Sequence, residues 1–519
     1  MTVTRHAPLG MVASVDHLAS SAGLAMLRMG GTAVDAAVAT NAVLGVTSPH
    51  LCGMGGDLFA LVHRPGDDRP VALNSSGRAG SGADAGRLRA EGFTAMPARG
   101  DLRAAPVPGC VDGWLALHER FGRLDLDVIL APAVRYADDG FPASPLLALA
   151  ATLLGGIAGA EPLTAATHAG AQVRRPGLAA ALRAVAAGGR EGFYGGEFGA
   201  SLIELGAGEY GDADLGRSLA DWVEPLGIDV WGHRVWTFPP NSQGYLTLLG
   251  AAIAEGLPLP DSAADPAWPH LLVEAARAAA HDRLGVLHEH ADVGPLLAPE
   301  AVSARRALID PSRRARLATP VGAGDTTYLC AVDADRMGVS LIQSNASGFG
   351  CMVFDPVTGI GLHNRGLGFS LEAGHPAEYG PGRRPPHTLC PALVTRPDGS
   401  LRATLGTMGG DAQPQIVLQL LARMLVLGEP TGRCISGPRW ALSAPDGSGF
   451  DTWTNPDAAR VDVEDPGWVE GLTERGHSVN LVTGLATTFG HAHAIEVGRD
   501  GMLAGAADPR AQVGAVAGY

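Results

Sequence analysis

The spacing of apolar positions changes character along the chain. From residue 10 to about 63 the stretches MVAS, HLASSAGLAMLRMG, TAVDAAVATNAVLGV and DLFALVHR predict strand, helix, helix and strand. Small residues every three or four positions in the two helices suit close packing on a sheet. Residues 107–225 read mainly as helices, punctuated by Gly and Pro at VPGCVDG, DDGFPASP and GGREGFYGG. Between 235 and 320, VWTFPP predicts a strand and HLLVEAARAAAHDRLG a helix. The segment IDPSRRARLATPVGAG, basic and Pro-containing, then reads as an exposed linker.

Beyond the linker the period drops to two. TYLCAVDA, GVSLIQS, ALVTRPDGSLRATLG and HAHAIEVGRDGMLAGAAD predict strands and hairpins with D-G or D-R turns. Helices return briefly, at QPQIVLQLLARMLV and WVEGLTERG. A helix-rich front and a strand-rich final third predict one layered α+β body built from both halves. No internal repeat or low-complexity tract interrupts it.

Composition narrows the chemistry. A chain of 519 residues buries a substantial core without outside help. Its formal net charge of −15 argues against a nucleic-acid or anionic-membrane binder, which needs basic patches, and favours a small-molecule substrate. Every one of the 38 basic residues is Arg, which removes Schiff-base, Walker-type and Ser-Lys chemistry. Six Cys without a C-x-x-C pair predict reduced, buried thiols, with neither a metal nor a disulfide framework, and no cofactor is indicated. The first residues show no basic segment followed by an apolar one, and no long charge-free run marks a membrane span. A cytoplasmic protein that contacts no membrane is the expectation.

The candidate chemistry lies in GAGDTTYLCAVDADRMGVSLIQSN, residues 322–345. A Thr at a newly made N-terminus joins a nucleophilic hydroxyl to a base, because its own α-amine, with a pKa near 8, accepts the hydroxyl proton. For Thr326 this requires the Asp325–Thr326 bond to break, and the linker before it is a fit place for the break. The residues alone leave the plainer alternative of an ordinary turn before a strand.

The chain resembles the γ-glutamyltransferase (γ-glutamyltranspeptidase) family of self-cleaving N-terminal-nucleophile hydrolases. The resemblance runs through the stretch from GMVASVDHLASS to GMGGDLFALV, then VPGCVDGW, GREGFYGG, FPPNSQG, DTTYLCAVDADRMGVSLIQSN, FGCMVFDPVTGIGLHNR, LGTMGGDAQPQ and ADPRAQVGAVAGY, in the family's order. It implies a four-layer αββα sandwich, autoproteolysis between Asp325 and Thr326, and a large subunit 1–325 that stays packed on a small subunit 326–519. It also implies Thr326 as nucleophile, Ser344 as the hydroxyl near the nucleophile's amine, and Gly409 and Gly410 as donors of the oxyanion hole. Glycine suits that last place, since it lets backbone N–H groups approach developing charge.

The departures bear on substrate. Typical members hold the glutamyl α-amine with Asn, Gln and an acid, and its carboxylate with an early Arg and paired Ser. Here the Asn position carries Ala346, with Asn345 one place earlier. The Gln position is Arg365, the acidic position Gly368, and the paired Ser are His387 and Thr388. The early Arg falls on Ser76, with Arg78 two places on. A site that loses a carboxylate and gains a guanidinium attracts an anion rather than an ammonium. With SLIQSN, HNRG, HTL and MGGDAQPQ, these departures resemble the family branch that includes oxamate amidohydrolase. The segment between NRGLGFS and RRPPHTL is shorter than in typical bacterial members, which implies a less covered, more open pocket.

Plainer readings stand beside these. Arg365 could pair with a local carboxylate, His387 could satisfy backbone groups, and Asp35 and Asp57 read as helix caps or loop-amide acceptors rather than substrate groups. GTMGGD without a Lys is a weak phosphate signal. The leading expectation is a threonine amidohydrolase acting on a small carboxylate-bearing acyl group, oxamate- or oxalyl-like, bound by Arg365, His387, Thr388, Asn345 and Arg78. The alternatives are a γ-glutamyl transpeptidase or glutathione hydrolase, a biosynthetic homologue cleaving a bond other than an amide, and an inactive structural homologue. Whether the processed pair forms a homodimer stays open.

Overall fold

The computed structural model describes residues 3–315, 325–443 and 459–519, with the backbone alone at Asp325 and Thr326. Most of the expected linker, 316–324, therefore lies outside the described residues. Two seven-stranded antiparallel sheets form the centre. The first runs Ala515–Gly518, Met11–Ser14, Asp325–Val332, Gly338–Ala346, Asp57–His63, Val71–Ser75, Asp221–Val223. The second runs Arg5–Ala7, Leu503–Ala507, Ala492–Val497, Leu401–Thr407, Ala392–Thr395, His233–Thr237, Leu226–Val230.

Alternation along the strands builds three apolar layers. Tyr328, Cys330, Val332 and Ile342 meet Trp236, Leu393, Leu401 and Ile495 between the sheets. Leu329, Ala331, Val339 and Leu341 instead face a helical layer that includes His17–Arg28, Ala33–Thr47 and Leu126–Asp139. On the outer face of the second sheet lie Tyr245–Glu255, Ala267–Ala280 and Gln413–Leu425. This is an αββα sandwich, and strands from both sides of position 325 interleave in each sheet, as the pattern of the sequence predicts. The pattern does not announce the short strands Val71–Ser75, inside the sheet, and Asp221–Val223 and Ala515–Gly518 at its two edges.

Two details fix the front of the molecule. All 15 residues of the helix Ala33–Thr47 are buried, which its Ala-rich, nearly charge-free sequence permits, and a capping box between Thr32 and Asp35 starts it. Asp333, in the turn of the 325–346 hairpin, accepts the Ala33 N–H at 2.9 Å and the Met337 N–H at 3.0 Å. The hairpin is thereby tied to the helix N-terminus. Asp35 is the cap expected of it. All six Cys are free and buried, and burial pushes the Cys52, Cys330, Cys351 and Cys434 thiols up to about 12.

Candidate active site

The hairpin strand Asp325–Val332 pairs with Gly338–Ala346 in a register that sets Thr327 against Gln343, and Asp325 against Ala346, with a bulge between. Position 326 thus begins the strand in the middle of the sheet, beside Ser344 and Asn345. A bulge re-aims the strand where it occurs, which suits a site rather than a plain ladder. On the other side of Gly338–Ala346, Ser344 stands opposite Asp57, the first residue of its strand.

Four predicted site residues come from three separate segments to this point. Ser344 Oγ accepts from the Ala346 N–H at 2.8 Å and from Arg365 Nη2 at 3.0 Å. Arg365 Nη1 donates to Thr388 Oγ1 at 2.9 Å. Its Nε lies 3.4 Å from Asp57 Oδ2, and that oxygen also takes the His387 Nε2 proton at 2.5 Å. His387 Nδ1 accepts the Leu389 N–H at 3.2 Å, so both ring nitrogens are committed within the protein. His387, expected among the ligands, thus has both nitrogens engaged by Asp57 and Leu389 in this structure. His363 Nδ1 approaches the same carboxylate at 3.5 Å while Nε2 is bonded to Pro106 O. Asp57, Ser344, Arg365, His387 and Thr388 are all at most 2% exposed.

Burial and charge oppose each other here. Burial alone would raise the Asp57 carboxyl, but the charges around His387 and Arg365 and hydrogen bonds from His363 and His387 outweigh it, so Asp57 lies well below the usual range. Burial, and then Arg365, bring His387 down to about 4 despite the pull of Asp57. The pair at neutral pH is an ionised carboxylate and a neutral imidazole.

The oxyanion candidates occupy a loop of unusual backbone. Gly409 has φ 135° and ψ 25°, and Gly410 has φ 55°, conformations that favour glycine. Neither N–H has an acceptor among the described residues. Gln243 ties this loop to the Arg365 group: its Nε2 reaches both Thr388 O and Gly410 O at 3.0 Å. Its Oε1 accepts from Arg283, which in turn bonds Asp411.

Two predicted ligands commit their side chains to other partners: Asn345 beside position 326, and Arg78 nearer the surface. Asn345 donates through its backbone to Leu51 O and through Nδ2 to Pro49 O, holding the loop that precedes Asp57. Arg78 is drawn into ion pairs with Glu289 at 2.5 Å and Asp221 at 3.2 Å, because those acids offer it compensation near the surface. Ser76, at the early Arg position, bonds Asn74 and Asn241. The shortened segment packs Phe369, Leu371 and Tyr379 against Ala79, Leu88 and Met96, while the site itself is buried. Asp57 and Gln243 are the functional-site residues that sequence reasoning passed over. Gln243 lay within the quoted FPPNSQG motif, and Asp57 was read as an acceptor for amides rather than for Arg365 and His387. Among the described residues no group of His, Cys, Asp and Glu is arranged to hold a metal, and no helix is long and apolar enough to cross a membrane.

The comparisons agree with this geometry. The family model for gamma-glutamyltranspeptidase matches residues 19–519. The chain is 36% identical to the oxamate amidohydrolase proenzyme of Klebsiella pneumoniae and 34% identical to the glutathione hydrolase-like YwrD proenzyme of Bacillus subtilis. Each match covers 98% of both chains. The structure is similar to cephalosporin acylase from Bacillus halodurans, with a TM-score of 0.90 and 32% identity over 100% of this chain and 97% of that one. With one sandwich, one order of motifs and one matching model along nearly its whole length, the chain belongs to the gamma-glutamyltranspeptidase family of N-terminal-nucleophile amidohydrolases and transpeptidases.

Proposed function

We propose that this protein is a self-processing threonine amidohydrolase for a small acyl group that carries its own carboxylate, of the oxamate or oxalyl kind. Cleavage of the Asp325–Thr326 bond gives a large subunit 1–325 and a small subunit 326–519, interleaved in both sheets. The α-amine of Thr326 takes the proton of its own Oγ, which attacks the acyl carbonyl. The N–H groups of Gly409 and Gly410 receive the oxyanion, and Ser344 lies beside the amine. Collapse breaks the C–N bond, the amine departs with the proton, and water then cleaves the acyl-enzyme.

The observation that carries the substrate class is Arg365 Nη2 at 3.0 Å from Ser344 Oγ, a guanidinium one strand from the nucleophile position. A free α-ammonium, as on a γ-glutamyl group, meets repulsion there, whereas a carboxylate meets a planar donor. The name of the Klebsiella relative, an oxamate amidohydrolase proenzyme, supports both the acyl class and the self-processing.

Gel electrophoresis of purified protein under denaturing conditions is expected to show two fragments, and Thr326→Ala a single full-length chain without turnover. Release assays on the processed enzyme are expected to favour oxamate over γ-glutamyl-p-nitroanilide. Efficient turnover of the second alone would sink the anionic-acyl reading, and an active unbroken chain would sink the mechanism.

A further inference from the structure

The chemistry proposed above gives no part to the Asp57 carboxylate, although it lies against Arg365. Asp57 is 0% exposed, and its Oδ2 is shared by His387 Nε2 at 2.5 Å and Arg365 Nε at 3.4 Å. Its Oδ1 has no hydrogen-bond partner among the described residues. A buried carboxylate oxygen without a donor is costly, so simple packing is a poor account of it. The other edge of Arg365 touches Thr388 and Ser344, the hydroxyl one strand from the nucleophile position. Leu389 N–H and Asp57 hold both nitrogens of His387.

We propose that Asp57 is a positioning and specificity residue: it fixes the Arg365 guanidinium toward Ser344 and Thr388, and as a permanent anion on that guanidinium it limits how tightly the site holds a carboxylate. The inference rests on the anionic-acyl reading above. Two carboxylates on one guanidinium repel, so the enzyme's own anion weakens the hold on the substrate's. The effect is greater for product than for substrate. Hydrolysis of an oxamate-like amide breaks its C–N bond, forms a C–O bond to the oxygen of water and converts a monoanion into a dianion, the leaving ammonia taking up the product's proton and departing as ammonium. An uncompensated guanidinium would retain that dianion; Asp57 speeds its departure.

Asp57→Asn keeps the shape and an acceptor for the His387 proton and removes the charge. On processed enzyme, oxalate inhibition and the oxamate kcat and KM are measured together. The variant is expected to bind oxalate about tenfold more tightly, with kcat lowered by a similar factor and KM level or lower. A merely structural role would lower the active fraction and leave oxalate inhibition unchanged. Asp57→Glu retains the charge and is expected to keep oxalate inhibition within about threefold of the parent. Should Asp57→Asn fail to fold, tenfold tighter oxalate binding by Asp57→Glu overturns the inference, and parent-like binding supports it. Equal or weaker inhibition of Asp57→Asn also overturns it. A parent enzyme that neither hydrolyses oxamate nor responds to oxalate overturns the anionic-acyl reading and this inference with it.

Discussion

Arg365 holds a full positive charge at 2% exposure, and Asp57 is the counter-charge that makes such burial tolerable. Removing one member of a buried pair leaves the other uncompensated, at a cost of about 3–5 kcal/mol, whereas removing both costs far less. Arg365→Gln is therefore expected to lower the urea midpoint sharply and abolish oxamate turnover. The double variant Asp57→Asn/Arg365→Gln is expected to recover most of the stability and none of the turnover. A double-variant loss equal to the sum of the Asp57→Asn and Arg365→Gln losses would show that the pair is not coupled. The same reasoning separates Arg365 from Arg78, whose ion pairs with Glu289 and Asp221 lie nearer solvent and hold less.

At the scale of elements, the site depends on how closely the loop before Asp57 approaches the strand Gly338–Ala346. Gln343 clasps Gly53 from both sides, its Oε1 accepting the Gly53 N–H at 2.9 Å and its Nε2 donating to Gly53 O at 2.7 Å. Gly56 passes so near that a Cβ there would sit 2.2 Å from Ser344 O and 2.4 Å from Gln343 Nε2. Gly56→Ala must push the two strands apart at the point where Asp57 faces Ser344. A loss of about 1–3 kcal/mol is expected from such overpacking, read from urea unfolding, with a fall in kcat out of proportion to the folded fraction. A variant with lowered stability but unchanged kcat would show that the strand spacing does not govern the site.

Across the whole molecule, burial is the largest influence on five buried histidines. It lowers His387 and His491 to about 4, and His50, His477 and His493 to about 3, from an ordinary value of 6.5. These groups stay neutral in the fold while the unfolded chain protonates below pH 6.5. Their contribution is therefore complete above that pH and is lost as pH falls toward the native values. Each adds a slope of at most about 1.4 kcal/mol per pH unit in that window. Asp57 and Asp508, held below the carboxylate range, extend the loss under pH 4, while Asp112 and Asp333, raised by burial, act in the opposite sense. Urea midpoints are expected to be level above pH 7 and to descend steeply from 6.5 to 4. A level profile through pH 5 would mean that these imidazoles are not buried neutral.

Local pattern was sufficient for much of this molecule. The helix Ala33–Thr47, the hairpin from Asp325 to Ala346 and the hairpin from Ala392 to Thr407 follow from periods of 3.6 and 2 and from turn residues, all of which act between near neighbours in the chain. The order of motifs likewise marked the family. Short strands such as Val71–Ser75 were not legible, because their pairing partners, not their own residues, make them strands. The same limit applies to charge. Sequence named Arg365 and His387, but not that both meet on Asp57, which is more than 300 positions away and adjacent only through the ladder that sets it opposite Ser344. Residue type and local spacing are written in the chain; compensation of a buried charge is a property of who stands within a few ångströms, and only the packed sheets decide that.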